Sequence, residues 1–447
     1  MGSKNLQLHI FFFPLMAPGH MIPIIDMARL FTTQGVKATI ITTPFNEPLV
    51  AKTIERTKTC SGFNIDIKTI KFPAVEVGLP EGCENIDSLP SNENSARASF
   101  MTATGMLRQP LEQLLQDCRP HCVVADMFFP WATDVAAKFG IPRLVFHGTS
   151  FFSLSTMLSA KGDIFTKFLK EAHEAEVRSY GVVVNSFYEL EPAYANLYIK
   201  VLGRKAWHIG PVSLCKEAED KGQRGKESSI DTHECLKWLN TKNNASVVYI
   251  CFGSLANLTD SQLMEIAMGL EASEQQFIWV VKKGKGKKEE EDWMPKGFEK
   301  RMEGKGLIIR GWAPQVLILD HEAVGGFVTH CGCNSTLEGV IAGVPMVTWP
   351  MFADQFYNEK LVTEVLKIGV PVGAQQCVNM MGNEAYSIKK EAIVKAVRRI
   401  IMVSEEAKEM RSRAKALGEM ARRAMEKGGS SYSDLNALIE ELKILSG

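Results

Sequence analysis

The chain has no excess of charge of either sign: its 447 residues carry 51 lysines and arginines against 51 aspartates and glutamates. That balance leaves no long-range field to gather nucleic acid or a membrane surface, so a ligand has to be recognised locally. Nor is there an uninterrupted apolar stretch of about 20 residues, the length a membrane-spanning helix needs. The opening MGSKNLQLHIFFFPLMAPGH holds only a short apolar run without a small-residue cleavage site, and Leu6 spoils a myristoylation match. Neither a secretory leader nor a lipid anchor is expected. The ten cysteines include no Cys-x-x-Cys pair, and a chain this long needs no disulfide staples, so reduced thiols and a cytoplasmic setting are expected. His330, Cys331 and Cys333 could begin a zinc site, but no second cysteine or histidine pair lies near them, and no metal is expected. A Gly-x-Gly-x-x-Gly fingerprint is also missing, which counts against a dinucleotide-dependent oxidoreductase.

What is present is a repeated alternation of short apolar runs and helical patterns. Strands are expected at Leu8–Phe13, Lys37–Thr42, Ile65–Ile70, Cys122–Asp126, Leu144–Phe146 and Gly181–Asn185. Their runs do not alternate strictly, the mark of strands buried on both faces of a parallel sheet. A loop from Pro14 to His20 should lead into a helix from about Met21, with Ile22, Ile25, Met27 and Ala28 inward and Asp26 and Arg29 outward. Between Val212 and Thr232 the composition turns charged and glycine-containing, as an exposed linker does. The alternation then restarts: strands at Val247–Phe252, Phe277–Val281, Leu307–Ile309, Phe327–Thr329 and Met346–Thr348, with a helix at Asp260–Glu271. GKGKKEEEDW from Gly284 interrupts it as a surface loop. From about Ser387, a plausible N-cap, to Leu445 the pattern is helical apart from a break at Gly428.

Two consecutive βα arrays joined by a linker predict an α/β chain of two Rossmann-like domains facing each other across a cleft. The expected boundaries are 1–212, a linker at 213–232, 233–427, and a terminal helix at 428–447 for which packing back on the first domain is one arrangement. Ligands of such sheets bind beyond the carboxyl ends of the strands.

The densest chemistry there lies between Trp312 and Gln355. Thr329-His330 ends a strand, and Cys331-Gly332-Cys333-Asn334-Ser335 turns into a helix running through Glu338. Gly332 lets a ligand approach the backbone, and the first-turn amides of Asn334, Ser335 and Thr336 suit an anion. The plainer alternative is an ordinary helix start capped by Asn334 or Ser335. Trp312 and Gln315 would supply an aromatic face and an amide for a base, Glu338 an acceptor for ribose hydroxyls, and Asp354 with Gln355 partners for a sugar. Together they describe a nucleotide-sugar site.

This segment resembles the signature box of the plant family 1 glycosyltransferases, which transfer sugars from UDP to secondary metabolites. The resemblance extends along the chain through APGH at Ala17–His20, GLPEGCEN at Gly78–Asn85, VVNSFYELE at Val183–Glu191, HIGPV at His208–Val212 and CFGSL at Cys251–Leu255. FADQFYNEKLV from Phe352 and the terminal GGSSYSDL resemble a subgroup acting on triterpenoids, steroids and flavonoids. It implies a GT-B fold, an inverting mechanism and neither metal nor cofactor, UDP-glucose being a co-substrate. The first domain would take a small lipophilic acceptor and the second the UDP-sugar, in a monomer with no nucleic-acid partner and no membrane insertion. Motif by motif, it implies His20 as general base, held by Asp126. Trp312, Ala313 and Gln315 would hold uracil and Glu338 the ribose. Ser254, His330, Asn334 and Ser335 would hold the diphosphate, with Gly332 and Cys333 beside them, and Asp354 with Gln355 the glucose.

The residues support the base independently. His20 follows the first strand and Asp126 ends another at the same edge, and an imidazole of pKa about 6.5 suits proton abstraction at neutral pH. A buried carboxylate there could fix its tautomer and stabilise the imidazolium. His147, in FHGTS, is taken as structural. Two departures from the family pattern stand out: Cys333 replaces a tryptophan, and the stretch from Ser159 to Ala172 is short on the acceptor side. A GT-B epimerase or hydrolase needing no acceptor, and a non-catalytic UDP-sugar-binding protein, are the rival readings.

Overall fold

Runs rich in valine, isoleucine and phenylalanine, buried on both faces, build two parallel sheets in the computed structural model, which describes residues 7–61, 65–90, 94–159, 166–215, 224–282, 293–375 and 387–447. The MG start, nearly all of the insertion from Gly284, and the middle of the linker lie outside these residues.

The chain divides into two units, Met1–Glu217 with Arg423–Gly447, and Ala218–Arg422. In the first, strands β1 (His9–Phe13), β2 (Lys37–Thr42), β3 (Ile65–Thr69), β4 (Cys122–Asp126), β5 (Arg143–His147), β6 (Gly181–Val184) and β7 (Ala206–His208) form a seven-stranded sheet. Its order is β3-β2-β1-β4-β5-β6-β7, with every neighbouring pair parallel. The winding reverses between β1 and β4, where Phe13 lies opposite Ala125. The loops leaving these two strands therefore diverge to opposite faces and open a crevice between them.

The second unit repeats the plan. Strands β8 (Val247–Cys251), β9 (Gln276–Val281), β10 (Gly306–Arg310), β11 (Val324–Thr329), β12 (Met346–Thr348) and β13 (Gly369–Pro371) pair in the order β10-β9-β8-β11-β12-β13, again all parallel. Here the reversal falls between β8 and β11, with Cys251 opposite Thr329.

Several local expectations change. The first helix spans Pro18–Thr32, with Ala17 as N-cap and Pro18 in the opening turn, so His20 sits on the helix rather than on a loop before it. A proline costs a helix nothing there, because a first-turn N–H has no intrahelical acceptor. Asp26 and Arg29 are buried, not outward, because the turn Val212–Cys215 packs on this helix and Cys215 donates to the Asp26 carbonyl. The short strands β7, Ala-Trp-His, and β13, Gly-Val-Pro, hold no apolar run and are not among the expected strands, whereas the equally short β12 is. The helix expected to be capped by Ser387 runs Lys390–Ile401 and is preceded by extended Lys389.

The last helix, Ser430–Ser446, belongs to the first unit. Ser431 donates to the Gly210 carbonyl, and Asp434 accepts from the His208 amide at 2.9 Å. Leu435, Leu438, Ile439 and Leu442 complete the core beneath β1 and β2; burying such a side chain is worth about 1.5–3 kcal/mol. Among the described residues no helix is long and apolar enough to cross a membrane.

Candidate active site

In the first unit the reversal point holds a histidine on a carboxylate. His20 Nδ1 lies 2.7 Å from Asp126 Oδ2; the carboxylate is fully buried and the ring 22% exposed. Asp126 ends β4, and its other oxygen accepts the Phe128 amide at 3.1 Å, which fixes the carboxylate plane. Arg143, buried beneath, donates to the Asp126 carbonyl at 2.8 Å. Burial pushes that guanidinium down to about 10, which still leaves a cation under the aspartate at neutral pH. With Nδ1–H donated to Asp126, the basic lone pair of the neutral ring falls on Nε2.

The surroundings of His20 are aromatic and tight. Phe128 meets it edge-on at 5.4 Å between centroids, and Phe168 stacks on Phe128 at 5.2 Å with 19° between the planes. On another side is Gly148, where a Cβ would lie 3.3 Å from His20 Cε1. His147, just before it, is buried with Nε2 2.7 Å from Glu176 Oε2, and Tyr198 donates to the same carboxylate. Burial raises Glu176, but the hydrogen bonds from His147 and Tyr198 outweigh it and hold the carboxyl below its ordinary range.

The second unit's reversal point is made of main chain. His330 follows β11, and its ring is wedged between two glycines: a Cβ on Gly253 would lie 2.6 Å from Cε1, and one on Gly332 would lie 2.5 Å from Nε2. Gly253, just ahead of Ser254, also has φ +71°, a conformation glycine adopts at no steric cost. Burial pushes His330 down to about 4, so the ring is neutral at pH 7, and its Nδ1 is buried without a hydrogen-bond partner among the described residues. Cys331 adopts φ +62°, the left-handed region, which turns the chain into the helix Cys333–Ala342. Gly332 is the N-cap and no side chain caps it, so the capping role weighed for Asn334 or Ser335 is not what the backbone uses. The Thr336 amide, expected to face an anion, instead donates to the Gly332 carbonyl at 2.9 Å, so the anion-facing part of this helix start lies ahead of Thr336, at the positive end of the helix dipole.

Other expected residues converge on this helix. Gln315, opening the helix Gln315–Leu319 after β10, donates to Ser335 Oγ at 3.1 Å and to Glu338 Oε2 at 2.6 Å. Glu338 also pairs with Arg224. Trp312 donates from its indole to the Arg224 carbonyl at 3.2 Å, and Ala313 next to it is buried. Asp354 accepts from Asn358, whose amide also donates to the Cys331 carbonyl at 2.8 Å, tying the loop after β12 to the turn after β11. Gln355 is buried with its oxygen accepting the Met351 and Phe352 amides at 2.8 and 3.0 Å. With its oxygen so engaged, the NH₂ is the end of this side chain that can face a sugar.

Thus His20 and Asp126 are joined in one unit, and Gln315, Ser335 and Glu338 in the other. Ser254 lies on the loop after β8, and Cys333 and Asn334 open the helix that carries Ser335 and Glu338. Sequence reasoning missed Gly148, Gly253, Phe128 and Phe168 as neighbours, though FHGTS and CFGSL carried two of them. It also missed Arg224, hidden in a charged run. Among the described residues no cluster of histidine, cysteine or acid is arranged to hold a metal.

Known proteins share this architecture. The family model described as UDP-glucoronosyl and UDP-glucosyl transferase matches residues 164–377. Scopoletin glucosyltransferase of Nicotiana tabacum is 55% identical over 98% of this chain and 99% of its own length. UDP-glucose flavonoid 3-O-glucosyltransferase 7 of Fragaria ananassa is 54% identical over 100% and 98%. The crystal structure of Glycyrrhiza uralensis UGT73P12, complexed with glycyrrhetinic acid 3-O-monoglucuronide, superposes with a TM-score of 0.90 at 37% identity, covering 99% of this chain and 96% of that one. Two doubly wound parallel sheets, the site residues at their reversal points and full-length similarity agree: the chain is a UDP-glycosyltransferase of the GT-B fold and belongs to the plant family 1 glycosyltransferases.

Proposed function

We propose that the chain transfers glucose from UDP-glucose to a hydroxyl of a planar phenolic acceptor, with inversion at the sugar's C1 and without a metal. His20 Nε2 takes the acceptor's O–H proton as that oxygen attacks C1. The bond from C1 to the diphosphate oxygen breaks with its electron pair leaving on UDP, and Asp126 stabilises the imidazolium formed. The observation that carries this reading is the 2.7 Å contact between a part-exposed imidazole and a fully buried carboxylate at a reversal point.

The donor end of the reading rests on the helix start at Cys333, where the N-cap is Gly332 and the dipole's positive end favours an anion, with Trp312 for uracil and Glu338 for ribose. Amides can serve the diphosphate in place of a cation, so activity is expected to survive excess EDTA; loss on chelation with rescue by magnesium or manganese would contradict this. For the acceptor, sequence resemblance leaves triterpenoids, steroids and flavonoids open. The stacked Phe128 and Phe168 beside His20 favour a flat aromatic ring, and among the relatives above 50% identity three are named for phenolic acceptors: scopoletin, a flavonoid and an anthocyanin. Competition of a coumarin, a flavonol, a steroid and a triterpenoid at equal concentration, with products read by mass spectrometry, tests it. A steroid or triterpenoid glucoside as main product would overturn the phenolic reading.

A further inference from the structure

The residues assigned to the donor present an electrostatic problem. Glu338 and Asp354 are acidic, the remainder are neutral, and burial keeps His330 uncharged at neutral pH. A diphosphate would approach two carboxylates with no cation in the assigned set. Repulsion between like charges grows as water is excluded, so a site of this composition needs compensation.

The compensation comes from the segment read in sequence as an exposed linker. Arg224 reaches Glu338 with its guanidinium, and the two side chains are only 10% and 7% exposed. The same segment grips Trp312 along its main chain and its ring. Ser229 N donates to the Trp312 carbonyl at 2.8 Å, Ser229 Oγ accepts the Trp312 amide at 2.9 Å, and the indole N–H reaches the Arg224 carbonyl. A Cβ on neighbouring Gly311 would lie 2.2 Å from Ser229 Oγ, so only glycine lets the two segments come this close. Residues 224–229 thus touch both the aromatic and the acid that are to hold the nucleoside. A solvated linker would make none of these contacts.

We propose that Arg224 is a positioning residue of the donor site: its guanidinium neutralises Glu338 and aims the carboxylate alongside Gln315, while its carbonyl sets the plane of the Trp312 indole. The carboxylate keeps lone pairs for ribose hydroxyls, since each of its oxygens accepts one protein donor and can accept more. The proposal rests on the donor-site reading above and adds to it a residue outside the signature box.

Calorimetric titration of UDP into the wild-type chain and into R224A, R224K, E338Q and R224A/E338Q tests it, with thermal melts confirming that each variant is folded. Removing one partner of a buried pair strands the other, so R224A should bind UDP about tenfold more weakly or worse. R224K should recover part of the loss. R224A/E338Q should bind better than R224A, because the stranded charge is gone; a merely structural role predicts additive losses instead. In turnover, R224A should raise KM for UDP-glucose with little change in kcat. UDP affinity lost in E338Q but kept or raised in R224A overturns the role of Arg224 and leaves the donor-site reading standing. A wild-type chain that fails to bind UDP sinks that reading and the proposal with it.

Discussion

The two units share a topology and differ in what they place at its reversal point. In the first, side chains fill it: a histidine on a buried aspartate, with a buried arginine beneath. In the second, main chain dominates: glycines flank an uncharged histidine, and a helix begins without a side-chain cap. The contrast fits the tasks proposed for them. Moving a proton needs a titratable group whose tautomer is held, whereas binding an anion needs several N–H donors and room for close approach. The same fold therefore becomes sensitive to opposite kinds of change. The first site should fail when a functional group is deleted, the second when a methyl group is added.

That asymmetry can be broken from either side. The largest effect is expected for His20→Ala, with turnover falling by about 10²–10⁴, the usual cost of losing a general base; initial rates at saturating donor and acceptor measure it. Asp126→Asn comes next, about a hundredfold slower, because an amide still holds the ring but stabilises the imidazolium poorly. Its UDP affinity should match the wild type, and a parallel loss would mean that the aspartate serves folding rather than the base.

Gly332→Ala should act the other way round. Its backbone, at φ −59°, accepts alanine, so the change acts through the Cβ placed 2.5 Å from His330 Nε2. Displacing the ring and the turn should weaken UDP binding by about tenfold, in line with the 1–3 kcal/mol typical of overpacking. Turnover at saturating UDP-glucose should change less. Equal effects on affinity and saturated rate would erase the distinction between the units.

The smallest effect is expected at Gly148. A Cβ there would meet the His20 ring at 3.3–3.4 Å, which the imidazole can relieve by moving a few tenths of an ångström. Gly148→Ala should slow transfer by only about two- to fivefold with UDP affinity unchanged, since small misplacements of a reacting group cost far less than its removal. A loss as large as that of His20→Ala would show that the ring has no room to yield.

Much of this was legible in the sequence because the relevant signals are local. Apolar runs ending in Asp126 and His330 marked the strand ends, and the Cys331–Ser335 turn marked a helix start. The rest depended on contacts between distant segments. Asp26 reads as solvent-facing in the sequence because its cover, the turn at Val212–Cys215, comes from a distant segment. Arg224 lay in a charged run whose composition gave no hint of a buried partner 114 positions away. Gln355 carries the right groups for a sugar, but no pattern shows that two nearby amides already take its oxygen. Side-chain type was readable along the chain; the partner of each polar atom was not.

The central claim is that the base and the nucleotide site are separate devices in separate units. The most direct test is the dissociation constant of UDP for His20→Ala, measured by calorimetry on the preparation whose turnover is assayed. The account predicts affinity within about twofold of the wild type alongside a rate at least about a hundredfold lower. Affinity falling in step with the rate, or turnover within about tenfold of the wild type, would contradict it.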